Sequence, residues 1–286
     1  MFKRIVCTLL GVLCVASCTT SNLSVSKEQN RISVQLYSVR DDVANNFQGT
    51  LIELSELGID GVEFAGDYGE YENNPEGLKG FLTQIGLKVS GAHVSFNMLK
   101  GDSFSDTVNF HKKLGTPYLI VPWDERAFSP KHIDELVNDL NQISLKLAGT
   151  GIKVGYHNHA QEIAEFNNST FWDYIAQNTN SDVVLQLDVG WVVHADQEPT
   201  DFIADYPGRI KTSHFKSEVK RKNDSSLTPL IGKDGVEWKE IVATGNAKQQ
   251  LDWIVVEQEA YPNGMSPMES LSTSVKAIQS ILKSKI

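Results

Sequence analysis

Val154-Gly155-Tyr156-His157-Asn158-His159 is a short apolar run that ends abruptly in polar side chains able to bind a metal. Runs of the same kind recur on both sides of it. Residues 32–39 alternate apolar and polar, as a half-buried strand does. Residues 61–65, 87–94 and 118–121 precede the quoted stretch, and residues 183–187, 209–213 and 253–256 follow it. Between them lie apolar residues at helical spacing: Val43, Phe47, Leu51 and Leu54, then Leu78, Phe81, Leu82 and Ile85. A third helix covers residues 104–114, and the longest amphipathic face runs Ile133, Leu136, Val137, Leu140, Ile143, Leu147. Shorter helices are expected over residues 171–176, 200–206 and 236–242, and a closing helix over 268–282. Gly58, Gly86 and Gly115 stand where a helix would end in a left-handed residue.

Strands alternating with helices imply βαβ units and a parallel sheet. About eight units in roughly 250 residues is the size of one closed (β/α)₈ TIM barrel, here residues 31–286. An open doubly wound sheet would carry a glycine-rich phosphate turn after its first strand. Ser38-Val39-Arg40-Asp41 stands there instead.

Residues 1–17 read as an export leader: Lys3 and Arg4, then an apolar core over 5–15 too short to span a bilayer as a mature helix. Val15-Ala16-Ser17-Cys18 resembles a lipobox, so Cys18 is the expected lipidated first residue and residues 18–30 a polar tether. Cys7, Cys14 and Cys18 are the only cysteines, which leaves the barrel with no disulfide and no thiolate ligand. The expected location is the bacterial cell envelope facing the periplasm, held to a membrane by lipid. Formal charge is −10. That argues against a nucleic-acid partner, whose phosphates call for a Lys/Arg surface.

At the strand ends stand Glu63, His93, Trp123 with Asp124, His157 with His159, Asp188, His214 with Lys216, and Glu257. A barrel brings these to one mouth, where its active sites sit. Singly, each is more often a cap or a hydrogen-bonding residue. Together they supply oxygen and imidazole ligands for a divalent metal. His214 and Lys216, two apart, share a strand face, as do His157 and His159. Glu162 lies where the loop could fold it back, so Glu162, His157 or His159 could complete a metal site. Trp123 and Trp191 offer apolar faces for a sugar ring, whereas Phe64 reads as core.

These residues carry a resemblance. Gln35-Leu36-Tyr37-Ser38-Val39-Arg40, Gly61-Val62-Glu63, Tyr156-His157-Asn158-His159 with Glu162, Leu187-Asp188-Val189-Gly190-Trp191, His214-Phe215-Lys216, Ile231-Gly232 through Val236-Glu237-Trp238, and Val256-Glu257 are similar to the sugar phosphate isomerase/epimerase family of xylose isomerase-like barrels, and to its exported lipoprotein-type members. The resemblance implies one divalent metal (Mn, Co, Zn or Mg) held by Glu, Asp, His and Glu from the fifth to eighth strands. Asp188, His214 and Glu257 match the last three. His157 stands where many members have the first, and Glu162 reaching back, or His157 or His159 directly, would supply that ligand. The implied activity is isomerisation or epimerisation of a keto sugar by proton abstraction beside a carbonyl, through a metal-stabilised enediolate. Glu257, His157, Glu162 and Lys216 would be catalytic, and Glu63, His93, His159, Trp123 and Trp191 would contact substrate. Elimination from the same enolate gives a lyase or dehydratase. A non-catalytic sugar-binding lipoprotein is the reading from another class, and an endonuclease is disfavoured by acidity and export.

Overall fold

Eight of the apolar runs become strands, and the glycines between them turn the chain back. The computed structural model describes residues 30–220, 224–248 and 251–284. The expected leader, Cys18 and the tether up to residue 29 lie outside the described residues. The strands are β1 (Arg31–Gln35), β2 (Gly61–Phe64), β3 (Lys88–His93), β4 (Tyr118–Val121), β5 (Lys153–His157), β6 (Val184–Asp188), β7 (Thr212–Lys216) and β8 (Trp253–Glu257). They are parallel, pair in chain order, and close by β8 pairing with β1. The expected TIM barrel is therefore what forms, and closure leaves no sheet edge to protect.

The helices are α1 (Arg40–Asn45), α2 (Phe47–Glu56), α3 (Pro75–Gln84), α4 (Ser103–Leu114), α5 (Ile133–Leu147), α6 (Phe171–Asn178), α7 (Val189–His194), α8 (Pro199–Asp205), α9 (Trp238–Ala247) and α10 (Pro267–Lys283). α5 shows why the periodicity could be read: Ile133, Leu136, Val137, Leu140, Ile143 and Leu147 are all buried against the sheet. Each contributes about 1.5–3 kcal/mol by leaving water. α4 ends at Gly115, φ 91°, a left-handed conformation that costs a residue with a Cβ about 1–2 kcal/mol.

Three boundaries differ from expectation. Residues 36–39 are a 3₁₀ turn, Leu36–Val39, not strand. The Gln35 side chain accepts the Tyr37 N–H at 3.2 Å and takes the backbone out of the ladder. The first helix is broken at Asn46 (φ −155°), whose side chain accepts the Gly49 N–H and starts α2 afresh. The seventh strand starts at Thr212. Arg209 belongs to the preceding loop, where its guanidinium donates to the carbonyls of Ala176 and Val183 and to Thr179 Oγ1. A small antiparallel hairpin, Glu165–Phe166 with Ser169–Thr170, was not foreseen.

Tyr118, Ile120, Val184, Trp253 and Val255 form a separate apolar plug at the base of the barrel. Above it the interior turns polar. Ser33 and Ser90 hydrogen-bond at 2.6 Å, and the next layer is the site.

Away from that site, His111 is buried between Thr116 Oγ1 (3.0 Å) and the Tyr68 hydroxyl (3.4 Å). Burial pushes its pKa down to about 4. The unfolded chain then binds a proton near pH 6.5 that the native state refuses until about pH 4, so stability falls across that window as pH falls. The loss amounts to roughly 3 kcal/mol. In His111→Gln the acid-side fall in unfolding free energy, read from denaturant titrations, should be shallower by that amount; a fall parallel to wild type would remove His111 as its source.

Candidate active site

Glu63 is the hub of the layer above the plug. It is the third residue of the four-residue β2 and is wholly buried. Its Oε2 accepts from Gln35 Nε2 at 2.9 Å, and its Oε1 accepts from Gln186 Nε2 at 2.7 Å. Room for it is made by Gly91 of β3, where an added Cβ would come within 2.7 Å of Glu63 Oε1. His214 Nε2 lies 2.5 Å from Glu63 Oε2, and His93 Nε2 lies 3.3 Å away. Burial alone would raise the Glu63 pKa, but the charges of His214 and His93 outweigh it and hold the group ionised.

Gln186 fixes the tautomers around it. A carboxylate only accepts, so the amide nitrogen must face Glu63 and Oε1 must face the imidazoles. Gln186 Oε1 lies 2.8 Å from His93 Nε2 and 3.1 Å from His157 Nδ1. Both of those nitrogens therefore carry hydrogen. Burial drives the His157 pKa well down and lowers that of His93. His157 is thus a neutral imidazole whose Nε2 lone pair faces Asp188 Oδ2, 3.7 Å away.

Asp188 ends β6 and caps α7: its Oδ1 accepts the Trp191 N–H at 2.9 Å. Its own N–H donates to Asn158 Oδ1 at 2.8 Å. Its Oδ2 is buried with no hydrogen-bond partner, and burial raises the carboxyl pKa to about 7. His214 Nδ1 stands 3.9 Å from that oxygen and 2.7 Å from Glu257 Oε2. Burial opposes charge on His214, but Glu63 and Glu257 overcome it and raise its pKa to about 10. Burial likewise opposes charge on Glu257, and His214 and Lys216 pull its pKa down to about 2.

This donor set fits a divalent cation. One donor atom each from Asp188, His214 and Glu257 lie within 4.8 Å of one another, as do one each from His93, His157 and His214. An orphaned buried carboxylate oxygen calls for a partner. The His214 Nε2–Glu63 contact is the outer carboxylate that orients a metal-ligating imidazole and leaves Nδ1 facing inward.

Glu162 is not brought into this cluster. Its Oε1 accepts from the Tyr156 hydroxyl at 2.8 Å and its Oε2 from the His159 N–H at 2.9 Å, so both oxygens hold the 3₁₀ turn Gln161–Ile163 against β5. The residue set at the end of β5 is instead His157. His159 lies outward, its ring 5.1 Å from His157, 4.9 Å from Trp123 and 5.3 Å from Trp191. Burial lowers its pKa to about 4, so it too is neutral. Trp123 is 42% exposed at the rim. The Lys216 ammonium pairs with Glu259 and lies 4.6 Å over the Trp191 ring. Burial opposes its charge, but Glu257, Asp188 and Glu259 raise its pKa and keep it cationic. Behind it, Asp234 accepts from Ser217 Oγ and Trp238 Nε1, which ties the 231–238 motif under β7.

Gln186 and Asn158 are the site residues that strand-end reading passed over. The signal for Gln186 was present: an amide inside Val184-Leu185-Gln186-Leu187-Asp188, two before Asp188 and so on its face.

The chain is 23% identical over 261 residues to an inosose dehydratase of Lactiplantibacillus plantarum, covering 79% of this chain and 85% of that protein. Its fold superposes on a sugar phosphate isomerase/epimerase from Parabacteroides distasonis with TM-score 0.75 at 23% identity, over 92% of this chain and 99% of that one. It superposes on an L-ribulose 3-epimerase with TM-score 0.65 at 12% identity, over 89% and 95%. The family model for xylose isomerase-like TIM barrels matches residues 51–281, a span that takes in every strand except β1, and with it the chain belongs to that family.

Proposed function

We propose that the barrel mouth carries out an elimination, a dehydratase or lyase step, on a keto-polyol or keto sugar, beginning with loss of the proton beside the carbonyl. The observation behind the choice is what faces Glu257. Epimerisation needs a base on each face of the substrate, whereas elimination needs one. At the end of β5 the carboxylate of Glu162 is engaged by Tyr156 and the His159 N–H, and His157 is held by Gln186. That leaves Glu257, only 7% exposed and held ionised by His214 and Lys216, as a carboxylate at the mouth not closed in by several donors as Glu63 is by Gln35, Gln186 and His214. A divalent metal held by Asp188, His214 and Glu257, with His157 Nε2 as a further donor, would polarise the carbonyl and acidify the neighbouring C–H.

The chain's own side chains do the rest. Glu257 accepts the proton at Oε1, the oxygen that His214 does not hold, and returns it to the departing oxygen, which leaves as water or as the aglycone alcohol. Glu63 orients His214, and Gln186 keeps His93 and His157 in single tautomers. Lys216 keeps a positive charge where negative charge develops on substrate oxygen. Trp123, His159 and Trp191 wall the rim against bulk water. The similarity to an inosose dehydratase supports this reading. Isomerisation or epimerisation is the second reading, because His157 is a neutral imidazole and a neutral imidazole can accept a proton.

Turnover of an inosose and of keto-glycosides with Mn²⁺, Co²⁺ or Zn²⁺ in D₂O, followed by NMR, separates the two. Elimination should yield a product lighter by water or by the aglycone. A product of unchanged composition carrying deuterium beside the carbonyl would establish epimerisation. Turnover with neither exchange nor elimination would remove the enolate chemistry altogether.

A further inference from the structure

The pole of the barrel opposite the site carries a feature that the chemistry does not use. A cavity of about 350 Å³ opens there, walled by Arg31, Lys79, Lys88, Tyr118 and Trp253 among others. The Arg31 guanidinium lies 4.2 Å over the Trp253 ring. Lys79 and Lys88 are exposed, and none of the three cations is drawn into an ion pair among the described residues. Lysines at helix C-termini answer the helix dipole, but Arg31 and Lys88 begin strands and Lys79 lies within α3. The dipole does not account for them. At the opposite pole stand Glu63, Asp188, Glu257 and Glu259 in the mouth, partly offset by His214 and Lys216, and Asp67, Glu70 and Glu72 on the loop after β2. A chain of net charge −10 thus presents at this end three cations outside any ion pair among the described residues, beside Asp60 and Asp252, whose carboxylates are engaged by the Ile32 N–H and the Tyr118 hydroxyl.

We propose that this base is a membrane-docking face that binds the phosphate headgroups of anionic lipids and holds the mouth outward, away from the bilayer. The occupant follows from where the chain enters. Arg31, the first residue of β1, is itself a wall of the cavity, and Cys18 of the Val-Ala-Ser-Cys motif lies thirteen residues earlier. Thirteen residues reach at most about 45 Å even fully extended. On the lipobox reading of residues 15–18, on which this docking rests, a lipid on Cys18 would keep the domain near a surface, and charge would decide which pole turns to it. An anionic leaflet attracts the base and repels the acidic mouth, over the roughly 8 Å reach of unscreened charge. Each lysine or arginine at such a surface raises partitioning about fivefold. Trp253 and Tyr118 beside the cations suit the interfacial level, where aromatic side chains concentrate.

The barrel has no cysteine of its own, so single labels report orientation. The mature lipidated protein is reconstituted in vesicles with and without phosphatidylglycerol, with a fluorophore at Thr83→Cys on the base or Glu125→Cys at the mouth, and quenched by headgroup nitroxides. The base label should be quenched on anionic vesicles and not on neutral ones, and the mouth label on neither. Lys79→Glu with Lys88→Glu should reduce base quenching at least fivefold. The milder Lys79→Gln with Lys88→Gln should fall between, which keeps the test sound if charge reversal perturbs folding. Equal quenching at both poles, quenching indifferent to lipid charge or to both double variants, or a Cys18→Ser protein that still binds neutral vesicles would overturn the proposal.

Discussion

Glu257→Gln should lower turnover by roughly 10²–10⁴-fold, the range that one positioned general base supplies. The substitution keeps the shape and removes the charge. Glu257 is nearly buried, and its ionisation is maintained against burial by His214 at 2.7 Å and by Lys216. The other carboxylates there differ: Glu63 accepts from Gln35, Gln186 and His214, and Asp188 caps α7 with one oxygen while burial raises its pKa to about 7 and opposes its ionisation. Metal content measured on the same protein separates the two roles of Glu257. If activity falls while metal is retained, Glu257 is the base. If both fall together, it acts first as a ligand. Near-normal deuterium exchange in Glu257→Gln would move the base to His157.

How far this could be read from sequence depends on which forces act locally. The strands and the long helices were legible because burial imposes its period directly, as the six apolar positions of α5 show. The convergence of Glu63, His93, His157, Asp188, His214 and Glu257 followed from topology alone, since a closed parallel barrel carries all its strand ends to one side. Glu162 was not legible. Its direction is set by a one-turn 3₁₀ helix and by a tyrosine hydroxyl six residues back, and neither leaves a periodic trace. Gln186 was missed for the opposite reason: it looks like an interruption in an apolar run, and only three-dimensional closure brings Glu63, His93 and His157 around it. Arg209 reads as strand by position, but its long side chain finds two carbonyls and a hydroxyl that sequence spacing does not reveal.

Asp188→Asn should have opposite effects with and without metal, and that pairing makes it the sharper test of the metal centre. Without metal, wild type holds a buried carboxylate whose pKa is raised from 3.8 to about 7, with Oδ2 unpartnered. A raised native pKa means that the native state binds this proton more tightly than the unfolded chain. The stabilisation is therefore complete below about pH 4 and lost as pH rises toward 7. At pH 8 in a chelator, wild type bears the full cost of an ionised, unpaired group, and Asp188→Asn, which cannot ionise, should be more stable by an amount on the order of a few kcal/mol. At pH 4 the two should converge. With Mn²⁺ or Zn²⁺ at about ten thousand times its dissociation constant the order should invert, because binding to the native state alone stabilises wild type by about 5.4 kcal/mol and the amide supplies no anionic ligand. Thermal denaturation at the two pH values, with and without metal, reads all four conditions. Equal metal-induced stabilisation of both proteins would show that the cation sits elsewhere than on Asp188, and a chelated Asp188→Asn less stable than wild type at pH 8 would show that Oδ2 has a partner in solution other than a metal.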